Sequence, residues 1–197
     1  AAAAARDAGW RCVVATSDRD AFALVNEATT VLRLRSGMDN AVEVTPQRLR
    51  VELGIDGSRY LEYAALRGDT SDNLPGIPGI GPSRAAALLR AYDSVAEAVA
   101  DPLGCRSVLG RPLGQALIDD LADPASSVFL RNVALMRIRR DLPVELAATR
   151  LRVAPGRVRD RLAAWGVTGL DARLAAALCE RPAVVPVVDL EPSPADG

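Results

Sequence analysis

Gly68-Asp69-Thr70-Ser71-Asp72-Asn73-Leu74-Pro75-Gly76-Ile77-Pro78-Gly79-Ile80-Gly81 is the stretch that decides how the chain is read. It joins an acidic loop to a glycine-rich hairpin that opens a helix, so one half suits a cation and the other a phosphate. Gly76, Gly79 and Gly81 allow backbone conformations closed to other residues and leave no side chain in a ligand's way; the hairpin amides are expected to face outward. Pro82 supplies the fixed φ favoured at a first helical position. Ser83-Arg84-Ala85-Ala86-Ala87-Leu88-Leu89-Arg90 then continues as an amphipathic helix, whose start attracts anions. Upstream, Ser58 to Leu66 reads as a helix, with Leu61, Ala64 and Ala65 at helical spacing. Helix, glycine hairpin and helix follow in order, although glycines alone equally describe an ordinary turn between packed helices.

Asp69 and Asp72 lie in the loop before the hairpin, where carboxylates also serve to hydrogen-bond their own backbone or cap the next element. A second acidic pair closes Cys12-Val13-Val14-Ala15-Thr16-Ser17-Asp18-Arg19-Asp20. A continuous apolar run suits a parallel strand covered on both faces, and ligands of open α/β sheets bind beyond the carboxyl ends of such strands. Asp18 and Asp20 are expected there. The structural alternative is that Ser17 or Asp18 caps a helix beginning near Ala21, with Asp20 in its first turn.

Thr16-Ser17-Asp18-Arg19-Asp20, followed by Gly68-Asp69-Thr70-Ser71-Asp72-Asn73 and Gly79-Ile80-Gly81, resembles the bacterial 5′-3′ exonuclease and flap endonuclease family. Tyr60-Leu61-Glu62-Tyr63-Ala64-Ala65-Leu66 and Arg139-Arg140-Asp141-Leu142-Pro143-Val144 resemble it too, and the likeness runs from Ala1 to Leu178. The resemblance implies a metal-dependent phosphodiesterase that cuts DNA near a free 5′ end or a 5′ flap, in replication and repair. By carry-over, Asp18, Asp20, Asp69 and Asp72 match the aspartates of the family's second metal site. Gly76, Ile77, Gly79, Gly81, Ser83 and Arg84 fall in the helix-hairpin-helix element that grips the duplex backbone, which in the family often holds a potassium ion. Relatives commonly carry lysine where Ser83 stands, so Arg84 or the Ser83 hydroxyl is expected to make that phosphate contact.

The chemistry agrees with this assignment. Two unit negative charges about 4 Å apart repel by roughly 1 kcal/mol in water and about 4 kcal/mol at an effective dielectric of about 20, so four converging aspartates call for a cation. A hard divalent ion, Mg2+ or Mn2+, suits carboxylate and phosphate oxygens, and two such ions are expected to activate water and stabilise the leaving oxygen.

Composition removes competitors. The chain has no His, and all 24 of its basic residues are Arg. A serine-histidine-aspartate triad, a histidine-containing zinc site, a P-loop lysine and a lysine Schiff base are therefore excluded within it. Cys12, Cys105 and Cys179 form no zinc or disulfide pattern and read as small core residues in a reducing compartment. No signal peptide or long apolar span is present, so a cytoplasmic protein without membrane contact is expected. A formal charge of −1 places the DNA footprint in local features rather than in the overall field.

The expected fold class is α/β: the C-terminal part of a 5′-nuclease core over 1–56, a mainly helical DNA-binding region over 57–181 with its hairpin at 74–81, and a mobile tail at 182–197. Within this scheme a helix ends at Gly9, a strand spans Arg11 to Ala15, and a helix covers Ala21 to Asn26. Thr30 to Leu34 and Ala41 to Val44 pair around a turn, and Thr45-Pro46 starts a helix ended by Gly54. Ser94 to Glu97 has capping-box spacing, Pro102 to Pro112 reads as a cluster of turns, and helices follow at Leu113 to Leu121, Val128 to Met136, Val158 to Trp165 and Leu170 to Leu178. Arg137 to Arg140 is equally a DNA contact and a solvated patch. The family's first metal-binding aspartates and substrate gateway fall upstream of the matched segment. An N-terminal truncation is therefore expected, with one incomplete metal site, no parallel neighbour for the first strand and Val13-Val14 left exposed. Two other readings stay open: a noncatalytic helix-hairpin-helix DNA-binding module, and the exonuclease portion of a polymerase rather than a standalone enzyme.

Overall fold

The structure, a computed structural model, describes residues 1–35, 37–146, 160–161 and 164–166. The chain divides into two units, Ala1–Leu146 and Ala147–Gly197, and the elements below belong to the first. The helices expected at Val158 to Trp165 and Leu170 to Leu178, and the tail at 182–197, fall mostly or wholly outside the described residues. The fold is mixed α/β and mostly helical.

Helix α1 (Ala2–Asp7) leads to β1 (Cys12–Thr16), a 3₁₀ turn over Asp20–Leu24, β2 (Thr29–Arg35) and β3 (Gly37–Val44). The sheet runs β1-β2-β3, with β1 parallel to β2 from Cys12 opposite Thr29 to Thr16 opposite Arg33, and β2 antiparallel to β3. Two expectations change here. β1 does have a parallel neighbour, because the short 3₁₀ turn, rather than a full helix, suffices to return the chain to β2. Nor is β1 covered on both faces: its residues alternate between half-buried and exposed, with Val13 bare as expected at 66% exposed and Val14 half-buried. The apolar run concealed an edge strand, since periodicity cannot separate covered from bare faces when both are apolar.

Helix α2 (Pro46–Leu53) forms where read: the Thr45 hydroxyl accepts from the Arg48 amide at 3.2 Å, and Gly54 ends the helix at φ 72°. A 3₁₀ turn at Gly57–Arg59 enters α3 (Tyr60–Arg67), followed by the strands β4 (Gly68–Asp69) and β5 (Leu74–Pro75) and by α4 (Pro82–Ala91). The remaining elements are α5 (Val95–Ala100), α6 (Pro102–Leu109), α7 (Arg111–Ala122) and α8 (Val128–Met136). The cluster of turns expected from Pro102 to Pro112 is instead α6 and the start of α7. Both prolines sit in first turns, where a missing N–H breaks no helical bond, and Asp101 caps α6 by accepting from the Gly104 amide at 3.0 Å.

Helix α3 buries Tyr60, Tyr63, Ala64, Ala65 and Leu66 and is central to the core. It meets the sheet layer through Phe22, whose ring lies edge-on to Tyr60 at 5.2 Å, and meets α4 through fully buried Leu88 and Leu89. Polar ties fix its orientation. Arg59 donates to the Leu89 carbonyl and to Asp93, while Glu62 accepts from the Val95 amide at 2.8 Å. Ser94 accepts from the Glu97 amide as the capping pattern requires, but Glu97 accepts from the Asp93 amide rather than from that of Ser94.

From α8, the fully buried Asn132 donates to the carbonyls of Ala65 at 3.0 Å and Pro75 at 2.8 Å, clamping the end of α3 to β5. Replacing it would take this donor from one buried and one partly buried acceptor. Asn132→Ala is expected to lower unfolding free energy by about 2–3 kcal/mol, read from urea midpoints at constant m, and Asn132→Asp by more, because a carboxylate would face both carbonyls.

Candidate functional site

The end of β1 folds into a short acidic turn. The Asp18 amide donates to the Thr16 hydroxyl at 3.1 Å, and the Asp20 amide donates to Asp18 Oδ1 at 2.9 Å. Asp18 thus orders the entry to the 3₁₀ turn through one of its two carboxylate oxygens, but the capping alternative does not hold: the N-cap is Arg19, and no side chain caps the turn. Asp18 is exposed and Asp20 half-buried.

The second acidic segment hangs from β4 and β5, which pair Gly68 with Pro75 and Asp69 with Leu74. Gly68 adopts φ 76°, and a Cβ there would lie 2.3 Å from the Gly76 nitrogen; a Cβ on Gly76 would lie 2.3 Å from the Arg67 carbonyl carbon. Only two glycines let these backbones cross so closely. The loop between them is held by Asp69, whose Oδ1 accepts from the Ser71 amide at 2.9 Å and from the Ser71 hydroxyl. Asp72 is exposed.

These two segments share one electrostatic field. Burial, then Asp18, Asp69 and Asp72, raise the Asp20 carboxyl above its ordinary value, while Arg67 opposes them. Asp69 is held below the ordinary carboxylate value, chiefly by the Ser71 hydroxyl. Asp20 therefore feels the other three aspartates grouped from the sequence. Their donor set, carboxylate oxygens with a hydroxyl nearby, fits a hard divalent ion. Among the described residues, however, no three acidic or thiol side chains close around a common point, so the four form an open cluster rather than a finished coordination shell.

Arginines flank the cluster. The Arg67 guanidinium lies 5.6 Å from the Tyr63 ring centroid with Nη2 3.5 Å from Asp69 Oδ2, and Arg33 lies 6.0 Å from the Phe22 centroid. Nε of both is buried without a hydrogen-bond partner. Below them, burial pushes the Tyr60 hydroxyl up to about 12. The sequence reading missed Arg67, Arg33 and Asn132; for Arg67, its position directly before Gly68-Asp69 was the available signal.

The hairpin departs in part from expectation. The Ile77 amide donates inward to the Leu66 carbonyl at 2.9 Å and its side chain is buried, so Ile77 supports the hairpin from beneath rather than facing solvent. Gly79, at φ 81°, makes the turn. Gly81 is extended and a Cβ there would meet nothing within 4 Å, so neither conformation nor packing demands a glycine. Ser83 and Arg84 are exposed in the first turn of α4, whose amides have no intrahelical acceptors. Arg84 bends back to donate to the Gly79 carbonyl at 2.8 Å. Arg139 pairs with Asp141, and Arg140 donates to the Ala23 carbonyl.

Comparison with known proteins identifies the family. Residues 55–158 match the family described as 5′-3′ exonuclease, C-terminal SAM fold. DNA polymerase I of Mycobacterium bovis is 38% identical over 151 residues, covering 77% of this chain and 16% of the polymerase. The 5′-3′ exonuclease of Streptomyces coelicolor is 43% identical over 94 residues, covering 45% of this chain and 31% of that protein. The chain thus spans a minor part of either relative. In fold it is similar to the bacteriophage T5 flap endonuclease solved as a pseudo-enzyme-product complex with DNA and metal ions, at a TM-score of 0.52 and 17% identity over 68% of this chain and 47% of that one. No helix among the described residues is long and apolar enough to cross a membrane.

The crowding of Asp20 has a pH signature. Because its folded carboxyl is raised, its contribution favours folding below the ordinary value of 3.8 and is lost as pH rises through the folded value. In chelator, Asp20→Asn is expected to raise the thermal midpoint at neutral pH by a few degrees. The gain should vanish in melts recorded below that ordinary carboxylate value.

Proposed function

The chain belongs to the 5′-3′ exonuclease family, whose C-terminal SAM fold spans residues 55–158, and we propose that it serves metal-dependent hydrolysis of DNA phosphodiester bonds at a 5′ end or 5′ flap. The observation that supports this reading is the acidic loop that Ser71 and the Gly68–Gly76 crossing hold in place, whose Asp69 and Asp72, with Asp18, crowd Asp20. In it, residues 1–56 belong to the nuclease core, and the hairpin at 74–81 belongs to the DNA-gripping region that begins at 57.

Asp18, Asp20, Asp69 and Asp72 hold the metal. When bound, magnesium or manganese would supply an activated water and positive charge for the leaving oxygen, and a second ion would need ligands beyond these four. The remaining roles fall to the chain itself. The free amides at the start of α4, with the Ser83 hydroxyl, take a backbone phosphate of the duplex. Arg84, bonded to the Gly79 carbonyl, stiffens the turn and keeps its other guanidinium nitrogens for a neighbouring phosphate. Gly79 makes the turn where a side chain would strike Leu113, and glycine at 81 keeps a side chain off the approaching strand. Asn132 and the Gly68–Gly76 crossing hold grip and acids at a set spacing, so that a duplex seated on the hairpin presents its strand to the carboxylates.

A second reading, a DNA-binding module without catalysis, is favoured by the open geometry of the acids. The two separate by experiment. Joined to the upstream nuclease half of a relative, the chain is expected to release a 5′-labelled flap only with magnesium or manganese. Asp72→Asn is expected to slow release by about 100-fold or more while changing duplex affinity in chelator by less than about twofold. Equal rates would remove Asp72 from the mechanism, and salt-sensitive duplex binding without any carboxylate-dependent divalent site would favour the module.

A further inference from the structure

Arg67 is the last residue of α3 and directly precedes Gly68 and Asp69. Its side chain and that of Asp69 are only 17% and 14% exposed, so their contact is shielded from bulk water. Asp69 has two oxygens. Ser71 holds Oδ1 through its amide and hydroxyl, which leaves Oδ2 as the oxygen free to serve an ion, and that oxygen faces Arg67 Nη2 at 3.5 Å.

This contact is longer than the about 2.7–2.9 Å of a charge-assisted hydrogen bond, and Arg67 Nε is buried without a partner. Such a pair is electrostatic rather than directional. What fixes the guanidinium is Tyr63, whose ring centroid lies 5.6 Å from it. Held there, the positive charge stays beside Oδ2 when another cation arrives. Its reach extends to the other strand of the site, since it also opposes the crowding of Asp20 by Asp18, Asp69 and Asp72.

Resting on the metal reading above, we propose that Arg67 is a built-in cation that competes with a divalent ion for the Asp69 carboxylate and thereby sets the affinity of the acidic site. Arg67 is a positioning residue in this scheme: it touches neither DNA nor the reacting atoms. Its presence keeps Asp69 and Asp20 compatible at low metal and makes the site yield its ion more readily. Even at the dielectric of water, the lower limit for a contact this shielded, a unit charge about 6 Å from a divalent ion changes affinity by about tenfold. The sign separates this role from a structural one, because an Arg67 that merely supported the loop would weaken metal binding when removed.

The test is manganese binding to the 197-residue chain, measured from the free-ion electron paramagnetic resonance signal, for wild type, Arg67→Met, Arg67→Lys and Asp72→Asn. Arg67→Met is expected to bind about tenfold more tightly and Arg67→Lys within about twofold of wild type. Carboxylate-dependent binding that is equal or weaker in Arg67→Met overturns the role of Arg67 alone. Binding that Asp72→Asn leaves unchanged overturns the metal reading, and this inference with it. A second readout needs no variant: on magnesium titration of wild type, the Arg67 Nε–H resonance is expected to shift with the same midpoint as the Ser71 amide, and an unmoved resonance overturns the proposal.

Discussion

The near-contact of two backbones at Gly68 and Gly76 is the constraint on which the rest of the site depends. A side-chain carbon added at Gly68 would lie 2.3 Å from the Gly76 nitrogen, so no other residue pair permits the crossing. It turns the end of α3 into a loop that carries Asp69 and Asp72, then returns the chain beneath that loop to start the hairpin before α4. Asn132 locks the crossing by bonding both a carbonyl of α3 and one of β5. An acidic loop and a helix start are thereby fixed to one rigid support, which is what a strand-cutting site needs if grip is to determine where the acids fall.

Charge on that support is balanced within the chain. Asp18 and Asp20 arrive from the end of β1, Asp69 and Asp72 from the loop, and Asp20 bears the cost of their proximity. Arg67 offsets part of it from a shielded position against Tyr63. A formal charge of −1 for the whole chain therefore conceals a local separation of sign: carboxylates at one end of the loop, and open amides with Ser83 and Arg84 at the other. That separation suits one polyanion held at two points, with a divalent ion between the acids and the phosphate.

Local chemistry was legible in the sequence, and contacts between distant segments were less so. Thr45-Pro46 and Gly54 set the bounds of α2 because cap and stop signals act within a turn of where they occur. The four aspartates were singled out by the resemblance of their ordered motifs to a known family. Pro102 and Pro112 misled because proline marks a first helical turn as readily as a loop, and only the Asp101 cap tells the two apart. The inward turn of the Ile77 amide depends on which neighbours the fold supplies. Asn132 looked like one polar residue on an apolar helix; its meaning lies with carbonyls far away in the chain.

One measurement bears most directly on the claim that two distant acidic segments make one metal site: paramagnetic broadening of amide resonances in the ¹⁵N-labelled chain as trace manganese is added. Broadening centred jointly on Asp18 to Asp20 and Asp69 to Asn73, and abolished when excess magnesium is added, is the predicted result. Broadening confined to one segment, or spread over the exposed acids of the whole surface, would contradict it.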